Sequence, residues 1–430
     1  MASNYPELNE VQRWLIDSGR AFLADNAQKQ RSGLSQIQQA LLLQQIEWRK
    51  RSRFRFPDPS LWLWSDKSLS QASDWLSAIF KSAVFPEGRL VLDACCGAGV
   101  DSVAFTLRGP VIAMDEDPWM AALSASNATA HGKSIESYSE PFSFASLRNA
   151  RLIHVDPDRR PGNVKTLEAD EFSPPLEAIL EMIEKTEGGI IKIAPSTRFS
   201  ADRSRWIEQN CTRVWLGSFG ECRQQLLLCG SARKAALLSQ LNPKLEPPDA
   251  NILRMAVVLG FCNSSGADRF SFQSDFEDAR RNFVAESFAS NSADVEGVNL
   301  TDEVDNYVFD LHSVLHAAEL HEAWANQHKL AAITDSRGYF TGGEPISSPL
   351  AQCFEVMDVV SCDDRKLRKW LRQNKIGTVE VKCRLHALDA NSLQRRYSSN
   401  SGEPITLLIT RFDERVRAIA CRRVTEVCPE

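Results

Sequence analysis

Between Arg89 and Ser196, short apolar runs alternate with helical stretches, and the first run leads into a glycine turn, VLDACCGAGVDS. RLVLDA and PVIAM read as strands, VDSVAFTLR and PWMAALSASNATAHG as helices, and ARLIHVDP and GGIIKIAPS as two further strands. Strands joined through helices pair in parallel, so this stretch predicts an α/β fold, an open parallel sheet with helices on both faces. From Val214 to Phe261, VWLGSF, CRQQLLLCG and ILRMAVVLGF have no long helix between them, which predicts antiparallel strands completing the same sheet.

The turn selects among ligands. A dinucleotide site needs G-x-G-x-x-G so that a pyrophosphate can rest on the helix N-terminus, and here Ser102 occupies the third position. What precedes the glycines is Asp93, giving D-x-x-x-G-x-G with Gly97 and Gly99. A carboxylate there repels a pyrophosphate but attracts the cationic methionine end of S-adenosylmethionine, so the spacing favours that cofactor. The second strand closes with Asp115 in VIAMDEDP, where α/β cofactor folds place an acid on the ribose hydroxyls. Glu116 and Asp117 stand beside it as alternatives for the same contact.

A third acidic site follows the strand ARLIHVDP, where Asp156, Pro157 and Asp158 fall at the ligand-binding edge of such a sheet. An exocyclic amine conjugated to a base is a weak nucleophile. A carboxylate accepting its N–H, beside a loop stiffened by proline, helps present the lone pair to a sulfonium methyl. Asp156 fits that role, and Arg159 and Arg160 are suited to phosphate or carboxylate groups.

The chain of 430 residues is 43% hydrophobic and 25% charged, a balance that excludes a wholly disordered protein. No apolar stretch approaches the roughly 18 residues of a membrane span, and MASNYPELNE lacks the layout of a secretion signal, so a cytoplasmic protein is expected. The 11 cysteines include no CxxC pair, which argues against a zinc ribbon or a disulfide framework. No cysteine lies in the Asp156 loop, so cysteine chemistry is not expected. His312 and His316, four apart with Glu319 following, lack a third ligand on their helix, and no metal is expected.

Net charge is -6, yet the charges are segregated. Residues 49–55, RKRSRFR, carry five basic and no acidic groups; residues 363–396 carry ten basic against four acidic; residues 268–310 carry eleven acidic against three basic. Two basic segments, Arg49 to Arg55 and Arg365 to Arg372, therefore suit a polyanion-binding face on an acidic protein. Residues 1–80 read as a helical region, with apolar positions from Leu8 to Trp48 near the helical period and Ser70 or Ser73 as the N-cap of a following helix. Residues 81–262 hold the cofactor-binding sheet, 263–305 an acidic linker or insertion, and 306–430 a compact α+β domain. In that last domain LHSVLHAAELHEAWANQ reads as one helix, DDRKLRKWLRQN as a basic helix, and VEVKC, ITLLIT and AIACRRV as strands.

Together these motifs resemble the class I S-adenosylmethionine-dependent methyltransferases, and more specifically the bacterial methyltransferases with a C-terminal THUMP-like domain. The resemblance rests on Ser70 to Ser73 (Ser-Gln-Ala-Ser), VLDACCGAGVDS, VDPDRR, IIKIAPS, GECR, and the C-terminal YFTGGEP, SSPLAQCFEV and VEVKCR, over roughly residues 60 to 425. It implies a Rossmann-like methyltransferase sheet with an N-terminal helical region and a C-terminal α+β THUMP-like domain. It also implies cofactor binding by Asp93, Gly97, Gly99 and Asp115, and an RNA substrate, with guanine N2 as the first guess. Asp156 and Pro157 stand where amino-methyltransferases carry Asn or Asp followed by Pro-Pro and an aromatic residue, a pattern from which Asp158 and Arg159 depart. Two other readings stay open: a methyltransferase acting on a protein or small molecule, and a non-catalytic RNA-binding protein of methyltransferase fold.

Overall fold

The computed structural model describes residues 4–23, 33–159, 166–234, 253–261, 283–290, 297–384, 388–399, 401–412 and 415–424. The chain forms two compact units, the first of Met1–Phe219 and Arg223–Ala285, the second of Gly220–Cys222 and Glu286–Glu430.

The first unit opens with α1 (Glu10–Asp17) and α2 (Gln36–Ser52), each started by a reciprocal cap in which Asn9 or Ser35 exchanges hydrogen bonds with a glutamine three residues on. Next come α3 (Asp66–Gln71) and α4 (Trp75–Val84). Ser65 caps α3 and Asp74 caps α4, so Ser70 lies inside a helix and neither Ser70 nor Ser73 is the N-cap expected from the sequence. Asp74 wins because its two carboxylate oxygens take both the backbone N–H and the hydroxyl of Ser77.

The sheet is built from β1 (Val91–Ala94), β2 (Val111–Asp115), β3 (Glu136–Ser139), β4 (Leu152–Val155), β5 (Gly188–Ile193), β6 (Cys211–Ser218), β7 (Glu221–Gly230), β8 (Arg254–Phe261) and β9 (Phe283–Ser290), in the order β3-β2-β1-β4-β5-β7-β6-β8-β9. Strands β1 to β5 pair in parallel, and β7 enters antiparallel beside β5. β8 runs parallel to β6, not antiparallel as its hairpin-like context suggested, because β7 intervenes in sequence and takes the other side of β6. Every residue of β1 and β4 is buried, which is why these strands read as unbroken apolar runs. α5 (Val100–Phe105), α6 (Pro118–Ala130), α7 (Leu176–Glu184) and α8 (Ala201–Asn210) flank the sheet. The N-terminal helices share the core of this unit, since Leu15, Leu23, Leu42 and Leu63 pack with Met120 and Leu123 of α6. Within residues 263–305, read as an acidic linker or insertion, the structure places β9 at the end of the sheet beside β8.

The second unit holds β10 (Leu300–Thr301), β11 (Tyr307–Leu311), β12 (Ala331–Ile333), β13 (Phe340–Gly342), β14 (Ala351–Ser361), β15 (Ile376–Cys383), β16 (Glu403–Phe412) and β17 (Arg415–Arg423), ordered β10-β12-β13-β11-β14-β17-β16-β15. Its helices are α9 (Ser313–Ala317), α10 (His321–Gln327), α11 (Asp364–Gln373) and α12 (Ala390–Tyr397). The single helix expected from Leu311 is in fact two, broken where Glu319 takes a φ of 57°. His312 is the N-cap of α9, its Nδ1 accepting from the Val314 N–H, so the His312–His316 spacing is not that of one helical face. Among the described residues no group of three or more His, Cys, Asp or Glu is placed to hold a metal ion, and no helix is long and apolar enough to cross a membrane.

Candidate active site

A cavity of about 470 Å³ opens at the C-terminal ends of β1, β2, β4 and β5, where the strand order reverses between β1 and β4. The turn between β1 and α5 forms its floor. Cys95, Gly97 and Gly99 all have positive φ there, at 58°, 54° and 80°. The Gly97 N–H donates to Asp115 Oδ2 at 2.9 Å, and Asp115 Oδ1 accepts from the Asp117 N–H at 3.0 Å, so the acid after β2 is pinned against the turn. Burial pushes the Asp115 carboxyl up to about 6, with the charges of Asp117 and Glu116 adding and the two N–H donors opposing.

The two glycines differ. A Cβ at Gly97 would meet no protein atom within 4 Å, and Gly97 lines the cavity. A Cβ at Gly99 would stand 2.8 Å from the Cα of Ser124, so Gly99 is required for the approach of α6 and is not among the lining residues. Asp93 does not line the cavity either. It is fully buried, accepting from the Ser102 hydroxyl and lying 2.7 Å from Nδ1 of His154, its register partner across β1 and β4.

Asp156, Pro157, Asp158 and Arg159 line the cavity beyond β4; Arg160 lies outside the described residues. Asp156 Oδ2 is 2.5 Å from the ammonium of Lys192, which projects from β5 and also donates to the Gln71 carbonyl at 3.2 Å. Asp158 accepts from Lys67 at 2.9 Å and from the Gln71 amide at 3.3 Å, and its backbone pairs with Ser173. The Ser70 to Ser73 stretch thus closes over the acidic loop, held from behind by Arg55, whose guanidinium donates to the Ala72 carbonyl at 2.8 Å. Ser73 belongs to a buried network in which the ammonium of Lys81 lies 2.6 Å from Asp101 Oδ2, 2.8 Å from Ser73 Oγ and 3.5 Å from His154 Nε2.

Lys192, Lys81, Asp101 and Gln71 were not singled out from the sequence. The available signal was a lone charge inside an apolar run: Lys192 in IIKIAPS and Lys81 in WLSAIFKSAV. Burial raises the thiols of Cys95 and Cys96 well above the usual range, with Asp115 adding, which leaves both as poor nucleophiles. Of the first basic segment, Arg49 and Arg55 are drawn inward, Arg49 donating to the Trp62 carbonyl at 2.9 Å, because their guanidiniums satisfy loop carbonyls that would otherwise be buried without donors. Lys50, Arg51 and Arg53 are exposed. On α11, Arg365, Lys366, Lys369 and Arg372 are exposed while Leu367 and Leu371 are buried against β14, β15 and β16.

A strand order of β3-β2-β1-β4-β5-β7-β6, a glycine turn at the switch point and a strand-end acid held on that turn define the class I methyltransferases. A crystal structure of a Porphyromonas gingivalis protein described as a methyltransferase has this fold, with TM-score 0.66 and 18% identity over 96% of this chain and 97% of that one. Two relatives from strains of Mycobacterium tuberculosis, both called uncharacterized S-adenosylmethionine-dependent methyltransferases, are 24% identical over 368 residues, 84% of this chain and 89% of theirs. Residues 351–423 match the family described as THUMP domain-like. The chain thus has a methyltransferase fold, is similar over most of its length to proteins called S-adenosylmethionine-dependent methyltransferases, and carries a THUMP-like region at residues 351–423.

Proposed function

We propose that the protein methylates a base nitrogen of RNA, with guanine N2 as the first candidate. The observation that carries this reading is the position of Asp156 and Pro157 directly past β4, in the same cavity as the Gly97 turn and Asp115. Gly97 leaves room for close backbone approach, and Asp115, already oriented by two N–H donors, would hold the ribose hydroxyls in preference to the exposed Glu116. Bound there, S-adenosylmethionine supplies a methyl group on a sulfonium.

The work left to the protein is on the acceptor. Asp156 would accept the amine N–H, and Lys192, 2.5 Å from its Oδ2, fixes the orientation of that carboxylate. Asp158, tied to Lys67 and Gln71, stiffens the loop at the position of the second proline in the amino-methyltransferase pattern, and Arg159 stands where that pattern has its aromatic residue. RNA is favoured over a protein or small molecule by the THUMP-like domain and by the exposed cations of α11, joined by Arg395 and Arg396 of α12. Mass spectrometry of modified nucleosides in RNA from cells with and without the gene tests the reading: one methylated nucleoside should disappear with the gene. An unchanged nucleoside profile in all RNA fractions turns the reading toward another substrate.

A further inference from the structure

Besides Asp115, two carboxylates stand beside the glycine turn, and the structure treats them differently. Asp93, the acid that the sequence pattern marks for the methionine end of the cofactor, has both oxygens occupied, by His154 and by Ser102, and is absent from the cavity wall. Asp101, in the first turn of α5, does line the cavity. Its Oδ2 is held by Lys81 at 2.6 Å and by the Ser73 hydroxyl at 2.9 Å, while its Oδ1 is buried with no hydrogen-bond partner among the described residues. A buried carboxylate oxygen without a donor is costly, so its survival beside a ligand cavity points to a donor that the ligand brings.

The ionisation of Asp101 agrees. Burial pushes the Asp101 carboxyl up, but Lys81, with His154 and Lys192, outweighs it and holds the group at about 2, so it is ionised at neutral pH.

We propose that Asp101 receives the α-ammonium of the cofactor's methionine portion, with Lys81 and Ser73 fixing the carboxylate from behind, and that Asp93 acts one layer deeper by supporting β4 through His154. This rests on S-adenosylmethionine being the ligand of the cavity.

Calorimetry on the full chain tests it with three probes: S-adenosylhomocysteine, its deaminated analogue in which hydrogen replaces the amino group, and 5′-methylthioadenosine, which lacks the amino-acid portion. Asp101→Asn should weaken S-adenosylhomocysteine by about tenfold or more, as expected for loss of a charge-assisted hydrogen bond, and leave methylthioadenosine unchanged. The deaminated analogue should bind wild type about tenfold more weakly than its parent and bind Asp101→Asn as well as its parent does. Equal losses for all three probes, or no loss for the parent, overturn the assignment. If Asp101→Asn does not fold, Asp101→Ser is measured with the same three probes and read in the same way, and equal affinities of wild type for the amino and deaminated forms overturn the assignment. A wild type that binds none of the three fails at the earlier step, the identity of the ligand.

Discussion

Lys192 Nζ lies 2.5 Å from Asp156 Oδ2 and donates to the Gln71 carbonyl as well, so one lysine from an otherwise apolar strand joins the acidic loop after β4 to the Ser-Gln-Ala-Ser stretch. Asp156→Ala should keep cofactor affinity and lose methyl transfer by a factor on the order of one hundred or more, as for a group acting on the nucleophile. Lys192→Met should lower transfer in the same direction by leaving the carboxylate unoriented. Single-turnover transfer of a labelled methyl group to bulk RNA measures both. A wild-type rate in Asp156→Ala would reduce that residue to part of a turn.

The two turn glycines should separate binding from folding. At Gly97, alanine places its methyl group where no protein atom lies within 4 Å, at the cost of about 1–2 kcal/mol for a left-handed backbone, so cofactor affinity falls and thermal stability drops only slightly. At Gly99 the same methyl group would lie 2.3 Å from Ser124 Oγ, and overpacking adds about 1–3 kcal/mol to the backbone strain. Thermal denaturation and calorimetry on both variants check this ordering, and an equal stability loss would contradict it.

Asp115 gives cofactor binding a pH dependence. Its carboxyl titrates at about 6, above the roughly 3.9 of a free aspartate, and ribose hydroxyls donate best to the ionised form. Affinity should fall as pH drops through about 6, by up to about tenfold per unit, and Asp115→Asn should flatten the profile. Stability of the ligand-free protein runs in the opposite sense: for a carboxyl raised on folding, the stabilising increment is complete below the free value and lost by about pH 6. Calorimetric titrations between pH 5 and 8 read the first effect, and a flat wild-type profile rules it out.

The basic face of α11 yields a salt-dependence test. Charge reversal at Arg365, Lys369 and Arg372 leaves Leu367 and Leu371 in their core, so the variant should fold and bind S-adenosylmethionine as wild type does. RNA affinity should fall and its slope against salt should flatten, because fewer phosphates are neutralised. Retained affinity and slope would argue for a protein or small-molecule substrate. Reversal at Arg51 and Arg53 is the matching test on α2 and the residues after it, where Arg49 and Arg55 are structural and should be left intact.

Periodicity and local spacing are properties of neighbouring residues, and what depends on them was legible in the sequence: the alternation of strand and helix, the glycine turn, the acid closing β2, and the amphipathic α11. Burial of β1 and β4 on both faces made those strands readable as continuous apolar runs. Partnerships across the sheet were not legible. Asp93 stands out in the sequence because it precedes two glycines, but only the fold shows that it pairs with His154 across β1 and β4 and is fully buried, while Asp101 of the next helix lines the cavity. Arg49 and Arg55 counted as surface charge until folding set loop carbonyls within reach of their guanidiniums. The sequence by itself determined which residues share a strand, a turn or a helix face. Tertiary structure alone decided which charge meets which, because electrostatic partners are chosen by distance in space, and here the decisive ones are separated by tens of residues along the chain.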